Sequence, residues 1–437
     1  MLESLLRETD WLDALRRTDE PVLLYGMGSG ADKILALLSG AGIRVAGVFA
    51  SDGFVRGHSY RGMRVLTRRE AEERFGSFTA LLAFGLEGGP DEALRAVASR
   101  HRLLAPNLPV YGAGRLDKAY IRQNAARILY VYERLADDYS KRLFYELLRY
   151  DVNGDPRALL AMESRCDPPP SYFAHGRAHI DVGAHDGATL RDYHAVSPAH
   201  GPLLAVEPDR IAFRRLCEAV SDLPLARPIR AAASDREGRA FFAGGQGRGS
   251  ALAERGEAVR TVTVDGLCGR SRLGQPDVLR VGSLRIDAEG ADERVLCGAA
   301  NTLYEDAPTV CAAVYHRAFD LVELPRLLLA QRPDYRLTLG KKAYIPAWDV
   351  FVFAEKRKNK NSYFQSARIC VIVYGCKRPP PARRPEKPLW IGENPAAEPA
   401  SPARRFGERR LAPNRRAPAA SQPKRRRGRT GGTKNEG

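Results

Sequence analysis

The sequence predicts an α/β protein with two successive Rossmann-like units, a smaller one at 1–115 and a larger one at 171–355. Two glycine-rich segments support this prediction, because each follows a short apolar run and precedes a stretch with helical periodicity. The length of 437 residues also exceeds that of one ordinary domain. Between the units, residues 116–170 have helical periodicity and end near three consecutive prolines, which break the chain before the second unit.

The first unit is predicted to run from a strand through a glycine loop into a helix and a second strand. Its loop, residues 26–31, matches the G-x-G-x-x-A pattern that lets a backbone approach a pyrophosphate. Asp52 follows the next strand, where an acid would bind a ribose. One interpretation is therefore an NAD(P)-dependent oxidoreductase with 172–355 as its substrate domain. The other is a unit whose glycines only form the tight turn between strand and helix.

The second unit alternates apolar runs with helical stretches, which is the pattern of a parallel sheet covered by helices. Its predicted strands are residues 178–182, 203–206, 231–235, 284–287, 310–315 and 351–354. Its predicted helices are residues 209–220, 291–303 and 319–331.

Polar residues follow three predicted strands of this unit and form a candidate donor-binding site. Since ligands bind at the carboxyl edge of such sheets, these side chains are expected to share one site. Gly183 and Gly187 are spaced as G-x-x-x-G, which is wider than the pyrophosphate-binding pattern of the first unit. This spacing suits a ligand without phosphates, such as S-adenosyl-L-methionine. In that interpretation Asp181 pairs with the amino group of the ligand, directly or through a water molecule, and Glu207 accepts hydrogen bonds from both ribose hydroxyls. The predicted cofactor-binding residues are Asp181, Gly183, Ala184, His185, Gly187, Glu207, Ser234 and Asp235.

A fourth strand end supplies candidate catalytic residues. Asp287 and Glu289 lie in the segment Asp-Ala-Glu-Gly after a buried strand, and His316 follows the next one. Carboxylates and imidazole serve as general bases, so each could take a proton from an acceptor hydroxyl. The alternative for the two acids is capping of the following helix. Because H-E-x-x-H and aspartate-rich metal motifs are absent, we expect no essential metal.

In combination, six blocks of this unit resemble the FkbM-type S-adenosylmethionine-dependent methyltransferases. The blocks are Asp181–Leu190, Ala205–Asp209, Ala232–Gly238, Val262–Leu267, Leu284–Gly298 and Ala313–Leu321. The resemblance implies a Rossmann-like seven-stranded methyltransferase sheet and methyl transfer to a hydroxyl of a sugar, glycan or secondary metabolite. Residues 1–115 resemble the Rossmann-like modules fused ahead of some such domains.

The charge pattern argues against nucleic-acid binding by the two units. The chain carries a formal net charge of +17, and residues 356–437 alone hold 22 Lys or Arg and 5 Asp or Glu, so residues 1–355 are balanced. We expect a disordered Arg/Pro-rich tail that binds nucleic acid or other polyanions only nonspecifically; a nucleic-acid-associated protein is the alternative. The seven scattered cysteines and the lack of a long apolar run favour a cytoplasmic protein without a membrane span. The sequence leaves the oligomeric state open.

Overall fold

The computed structural model describes residues 1–357 except 56, 244–250, 254 and 271–277, and only the backbone of 251–253. All of these residues fall within a single compact unit of the chain. The disordered tail was predicted for residues 356–437, but Lys356 is the last residue of a strand. The rest of that prediction, residues 358–437, lies outside the described residues. No helix in the described part is long and apolar enough to cross a membrane.

The N-terminal module is built on a six-stranded sheet with helices packed around it. Its strands are β1 (Val22–Tyr25), β2 (Gly47–Ala50), β3 (Ser59–Tyr60), β4 (Met63–Thr67), β5 (Thr79–Leu82), β6 (Leu86–Glu87) and β7 (Arg102–Leu104). Its helices are α1 (Leu2–Arg7), α2 (Trp11–Arg16), α3 (Ser29–Gly40), α4 (Arg68–Phe75) and α5 (Glu92–Ala98). The strand order is β3-β4-β2-β1-β5-β7, and all neighbours except β3 and β4 are parallel. The predicted Rossmann-like module is thus confirmed.

Four helices connect the two units: α6 (Lys118–Gln123), α7 (Ala125–Arg134), α8 (Asp138–Asn153) and α9 (Arg157–Leu160). The Asp137 side chain caps the start of α8, and Gly154, in the left-handed region at φ +66°, ends it. Helix α8 packs against the second sheet, where the Leu339 N–H donates to the buried Ser140 hydroxyl at 2.9 Å. Since this N–H belongs to the outermost strand of that sheet and points away from its neighbour, the linker covers the free edge of the sheet.

The second unit contains the predicted seven-stranded sheet. Its strands are β8 (Ala178–Val182), β9 (Leu203–Val206), β10 (Ala226–Ile229), β11 (Ala232–Ala233), β12 (Gly238–Ala243), β13 (Ala251–Ala253), β14 (Glu257–Val262), β15 (Val281–Ile286), β16 (Thr309–Ala313), β17 (Tyr335–Lys341), β18 (Tyr344–Ile345) and β19 (Val350–Lys356). Its helices are α10 (Ala188–Val196), α11 (Arg210–Ala219), α12 (Val264–Leu267), α13 (Asp292–Cys297), α14 (Ala300–Asp306) and α15 (Asp320–Gln331). The order is β10-β9-β8-β15-β16-β19-β17, with β19 antiparallel to both neighbours.

One predicted strand was wrong. The third strand beside β9 is β10, whereas residues 232–233 belong to a separate sheet of order β11-β14-β12-β13. Strand β10 has the sequence Ala-Arg-Pro-Ile and therefore shows no apolar run. It lies at the edge of the sheet, where proline is tolerated because its missing N–H is not needed for pairing.

The two units also join through a small sheet of their own. Strand β6 of the module pairs antiparallel with β18 of the second unit, so that Leu86 lies opposite Ile345. The Gly88 N–H extends this pairing by donating to the Ala343 carbonyl oxygen at 2.7 Å. Gly85 is required at the contact, since a Cβ there would lie 2.7 Å from the Trp348 ring. The module thus holds the connection between β17 and β19.

Candidate functional site

A cavity of about 470 Å³ opens at the carboxyl ends of β8, β9 and β15 and extends to the start of β19. We refer to it as the strand-end cavity. Of the residues predicted for the site, the cavity is lined by Gly183, Ala184, His185, Glu207, Asp287 and Glu289. Asp181, Gly187, Ser234, Asp235 and His316 are not part of its lining. The parallel strands bring the first set together, as expected for a doubly wound sheet.

The glycine loop after β8 is shaped by close backbone packing. Gly183 has φ +80°, and a Cβ there would lie 2.0 Å from the carbonyl oxygen of Asp287. Gly187, with φ +85°, precedes α10 and leaves 3.0 Å between its Cβ position and the Leu216 side chain. Both positions therefore require glycine, and the loop between them turns tightly at the cavity wall.

Glu207 is the buried carboxylate that closes the end of β9. The residue is 6% exposed, and burial raises the pKa of its carboxyl group. One oxygen accepts the His185 N–H at 2.9 Å, and the other accepts the Asp209 N–H at 2.8 Å. Since a carboxylate oxygen has two acceptor positions, each oxygen keeps one for a ligand in the cavity.

Asp181 is fully buried behind the cavity wall. One of its oxygens lies 3.0 Å from Arg285 Nη1, and the other accepts a hydrogen bond from the Thr189 hydroxyl. Its carboxylate therefore holds Arg285 and Thr189 in place at the base of the site. These two residues line the cavity, so a ligand there would contact them and not Asp181.

Arg285 is a site residue that the sequence analysis missed. It lies on β15 between two acids, 3.0 Å from Asp181 and 2.7 Å from Asp287. Burial alone would raise the pKa of Asp287, but the Arg285 guanidinium and His316 lower it to about 2. The signal in the sequence was a charged residue inside an otherwise apolar strand, since a buried arginine needs carboxylate partners.

His316 is enclosed by three carboxylates and has no exposed surface. Its Nδ1 lies 3.0 Å from Asp292, and its Nε2 lies 3.2 Å from Asp287 and 3.5 Å from Glu289. Burial favours the neutral ring, but Asp292 and Asp287 outweigh it and raise the pKa of His316 well above its usual value. The surrounding carboxylates therefore favour the protonated ring, which in turn holds them in place. A protonated imidazole cannot accept a proton, so this geometry disfavours His316 as the base.

Glu289 differs from Asp287 in both position and ionisation. It lines the cavity with a side chain that is 29% exposed, and its backbone takes the uncommon φ of +49°. Burial raises its pKa to about 7, although His316 acts in the opposite direction. A carboxylate with a pKa near neutrality can accept a proton and release it again, which suits a general base.

The Ser234 hydroxyl donates a hydrogen bond to the Asp235 carboxylate at 2.9 Å, and neither residue lines the cavity. Ser234 is buried, and its N–H donates to the Val262 carbonyl oxygen at 2.8 Å. The cavity wall is instead formed by Ala232 and Ala233 just before them. Ser234 and Asp235 lie off the cavity lining because residues 232–235 do not end a strand of the main sheet.

Packing accounts for two glycines of the N-terminal loop. A Cβ on Gly26 would lie 2.4 Å from the Phe84 ring, and one on Gly30 would lie 2.4 Å from the Ala83 carbonyl oxygen. The Tyr60 hydroxyl lies 3.2 Å from the Gly28 carbonyl oxygen and 2.6 Å from Asp32. These contacts favour the interpretation that the glycines form a tight turn.

Among the described residues, Asp292, His316 and Asp320 are the one group of side chains close enough to share a metal ion. The Asp292 oxygens already accept N–H bonds from Ala288 and Gly290 as well as from His316. Asp320 accepts the Arg317 N–H at 2.8 Å. We therefore interpret the group as a hydrogen-bonded network and identify no metal ligand in it.

Residues 181–337 match the family model of the methyltransferase FkbM domain. The chain is also similar in structure to methyltransferase FkbM from Methylobacillus flagellatus, with 18% identity, a TM-score of 0.55 and coverage of 78% of this chain and 92% of that chain. At this identity the likeness shows the fold, and its coverage extends beyond the family match into residues before 181.

Two further solved structures match less of the chain. They are fibrillarin from Aeropyrum pernix in complex with natively bound S-adenosyl-L-methionine (13% identity, TM-score 0.27, 42% of this chain and 68% of that chain) and precorrin-6y C5,15-methyltransferase from Geobacter metallireducens (9% identity, TM-score 0.28, 47% of this chain and 88% of that chain). Scores this low support no inference. No curated protein matches the chain.

Proposed function

We propose that this chain, whose residues 181–337 match the model of the methyltransferase FkbM domain, transfers a methyl group from S-adenosyl-L-methionine to a hydroxyl oxygen. The observation that carries the proposal is Glu207, whose buried carboxylate keeps two acceptor positions at the wall of the strand-end cavity. Two adjacent hydroxyls of a ribose match these two positions. The cavity of about 470 Å³ also lies within the usual range for a small-molecule site.

The charges around the cavity suit a donor that is cationic at its reactive end. Asp287 and Glu289 line the cavity beside β15, and Asp349 lines it near the start of β19. Asp287 stays ionised because Arg285 and His316 hold its pKa at about 2. S-adenosyl-L-methionine supplies an activated methyl group on a sulfonium, so the protein mainly has to orient the two reactants and exclude water.

Glu289 is the residue we propose as the general base. A hydroxyl is a poor nucleophile until its proton is removed, and Glu289 is the cavity carboxylate with a pKa near 7. Asp287, with a pKa of about 2, is too weak a base for this task, and the carboxylates around His316 favour its protonated form, which cannot accept a proton. In this assignment Asp287 holds His316, and His316 keeps Glu289 in place. The proton of the acceptor passes to the Glu289 carboxylate as the methyl is transferred.

The acceptor is expected beyond β15, away from Glu207. The strand order places β16 and β19 on the other side of β15 from β9, and their ends supply Tyr315 and Phe351 to the cavity. Lys342 and Asp349 add polar groups at the same end. Aromatic faces beside polar groups fit a ring that carries several hydroxyls, such as a sugar, or a hydroxylated secondary metabolite.

Calorimetry with S-adenosyl-L-methionine and its demethylated product tests the donor assignment. Incubation of the donor with a library of hydroxylated compounds, read by mass spectrometry as the gain of one methyl group, tests the reaction. Binding of the donor together with methylation of amines but not hydroxyls would refute the oxygen specificity and leave the methyltransferase assignment intact.

A further inference from the structure

The loop after β7, at the end of the N-terminal module, reaches the site through Tyr111. The Tyr111 N–H donates to the His316 carbonyl oxygen at 2.9 Å. Its side chain packs on Gly290, where a Cβ would lie 3.0 Å from the Tyr111 Cβ. Its hydroxyl is hydrogen-bonded to the Glu289 carboxylate. A residue of the module thus contacts Glu289, Gly290 and His316 of the candidate site.

The module also fixes the loop just before Tyr111. Lys33, on helix α3, donates from Nζ to the carbonyl oxygens of Pro109 at 2.9 Å and Val110 at 2.7 Å. Two charge-assisted bonds to adjacent carbonyls restrict where the next residue can lie. Tyr111 is therefore held from the module side by Lys33 and from the domain side by His316 and Gly290.

We infer that Tyr111 is a positioning residue for the proposed reaction, which orients the Glu289 carboxylate and stabilises its ionised form. This inference rests on the proposed role of Glu289 as the base. It assigns the N-terminal module a part in the methyltransferase site, because the group that holds the base comes from outside residues 181–337.

The charges around Glu289 explain why a hydrogen bond from Tyr111 matters. The groups that act on its carboxylate are Asp287, Asp292, His316 and Tyr111. The two aspartates oppose a further negative charge nearby, and burial acts in the same direction. The Tyr111 hydroxyl acts against them, since a hydrogen bond donated to a carboxylate favours the charged form. Burial raises the pKa of Tyr111 itself, so that its hydroxyl keeps the proton it donates.

Titration of Glu289 in the full-length protein tests the inference directly. The carboxyl carbons of isotope-labelled glutamate are followed by NMR across the neutral pH range, and the Glu289 signal is assigned by its absence from Glu289→Gln. We expect Tyr111→Phe to raise the midpoint by about one pH unit, a tenfold change in proton affinity. Phenylalanine keeps the ring that packs on Gly290, so the backbone of the site should be retained.

Tyr120→Phe is the matched control. The Tyr120 hydroxyl lies 3.4 Å from Glu323 at another contact between the connecting helices and the domain, and its ring stacks on Phe319. Removing that hydroxyl should leave the Glu289 midpoint unchanged. Lys33→Met should raise the midpoint by less than Tyr111→Phe does, because losing Lys33 loosens the loop but leaves the Tyr111 hydroxyl in place.

An unchanged or lower midpoint in Tyr111→Phe would overturn the inference, as would an equal shift in Tyr120→Phe. The titration needs neither donor nor acceptor, so it is separate from the proposed function. If the midpoint moves as expected but S-adenosyl-L-methionine does not bind the wild type, the proposed function fails while the contact between Tyr111 and Glu289 stands.

Discussion

Replacing Glu207 by glutamine is the most direct test of the donor site, because it removes the charge and keeps the shape of the side chain. In the folded protein the two carboxylate oxygens accept the N–H groups of His185 and Asp209 at 2.9 and 2.8 Å. Their two remaining acceptor positions are the ones we assign to the ribose. Glutamine has one carbonyl oxygen and one amide nitrogen, so it cannot accept four hydrogen bonds of this kind.

The size of the effect follows from the loss of charge. A hydrogen bond to an ionised group contributes about 1.5–3 kcal/mol, and one between neutral groups about 0.5–1.5 kcal/mol. Two ribose bonds that change from the first kind to the second lose roughly 2–3 kcal/mol together. The dissociation constant of S-adenosyl-L-methionine should therefore rise roughly 30- to 150-fold.

Isothermal titration calorimetry on the wild type and Glu207→Gln measures this change, with the demethylated product as a second ligand. Glu218→Gln on α11 is the control, since Glu218 is exposed and does not line the cavity. Melting curves check that the fold is retained. The same dissociation constant in the wild type and Glu207→Gln would refute the ribose contact, and a wild type that binds neither ligand would refute the donor assignment.

Four further changes test other parts of the site and the chain. Glu289→Gln should lower turnover on a hydroxyl acceptor by about 10²–10⁴-fold, and unchanged turnover would exclude Glu289 as the base. The wild-type rate should rise with pH through about 7, because the base must lose its proton before it can accept another. The same variant should melt at a higher temperature than the wild type at alkaline pH but not at acidic pH, because a carboxylate whose folded-state pKa is raised destabilises the fold as it ionises; equal melting temperatures at both pH values would contradict the raised pKa. Gly28→Ala should leave donor affinity within about twofold, since the donor site lies in the other unit, and a larger loss in a folded variant would contradict that separation. Ending the chain at Glu355 removes 22 basic and 5 acidic residues, so salt-dependent retention on heparin should nearly disappear; retention that survives would place a basic surface on the two units.

Where an element is continuous and apolar, the sequence predicted it well. Strands β8 and β9 have the predicted bounds because buried parallel strands read as unbroken apolar runs. Strand β10 escaped prediction because an edge position permits the Arg and Pro that conceal it. Pattern alone gives the type of element and its place along the chain, but it does not give the neighbours of an edge strand.

The site was less predictable, because its chemistry depends on distances between strands. The positions of the strand ends predict that Asp287, Glu289 and His316 cluster. Their ionisation, however, depends on Arg285 beside Asp287 and on Asp292 beside His316, each at about hydrogen-bond distance. Asp181 was expected to reach the ligand, and only the structure shows its carboxylate engaged by Arg285 and Thr189. Tyr111 belongs to another unit, and no local pattern indicates such a contact.

The pairing of β6 with β18 limits how the two units can be exchanged in evolution or in engineering. A chimera that joins residues 171–355 to a different first unit would have to restore a strand partner for Tyr344 and Ile345. It would also need a residue without a side chain where Gly85 meets Trp348. Recombination within the connecting helices would separate these partners, so the two halves of the gene should be inherited together even though each encodes a sheet of its own.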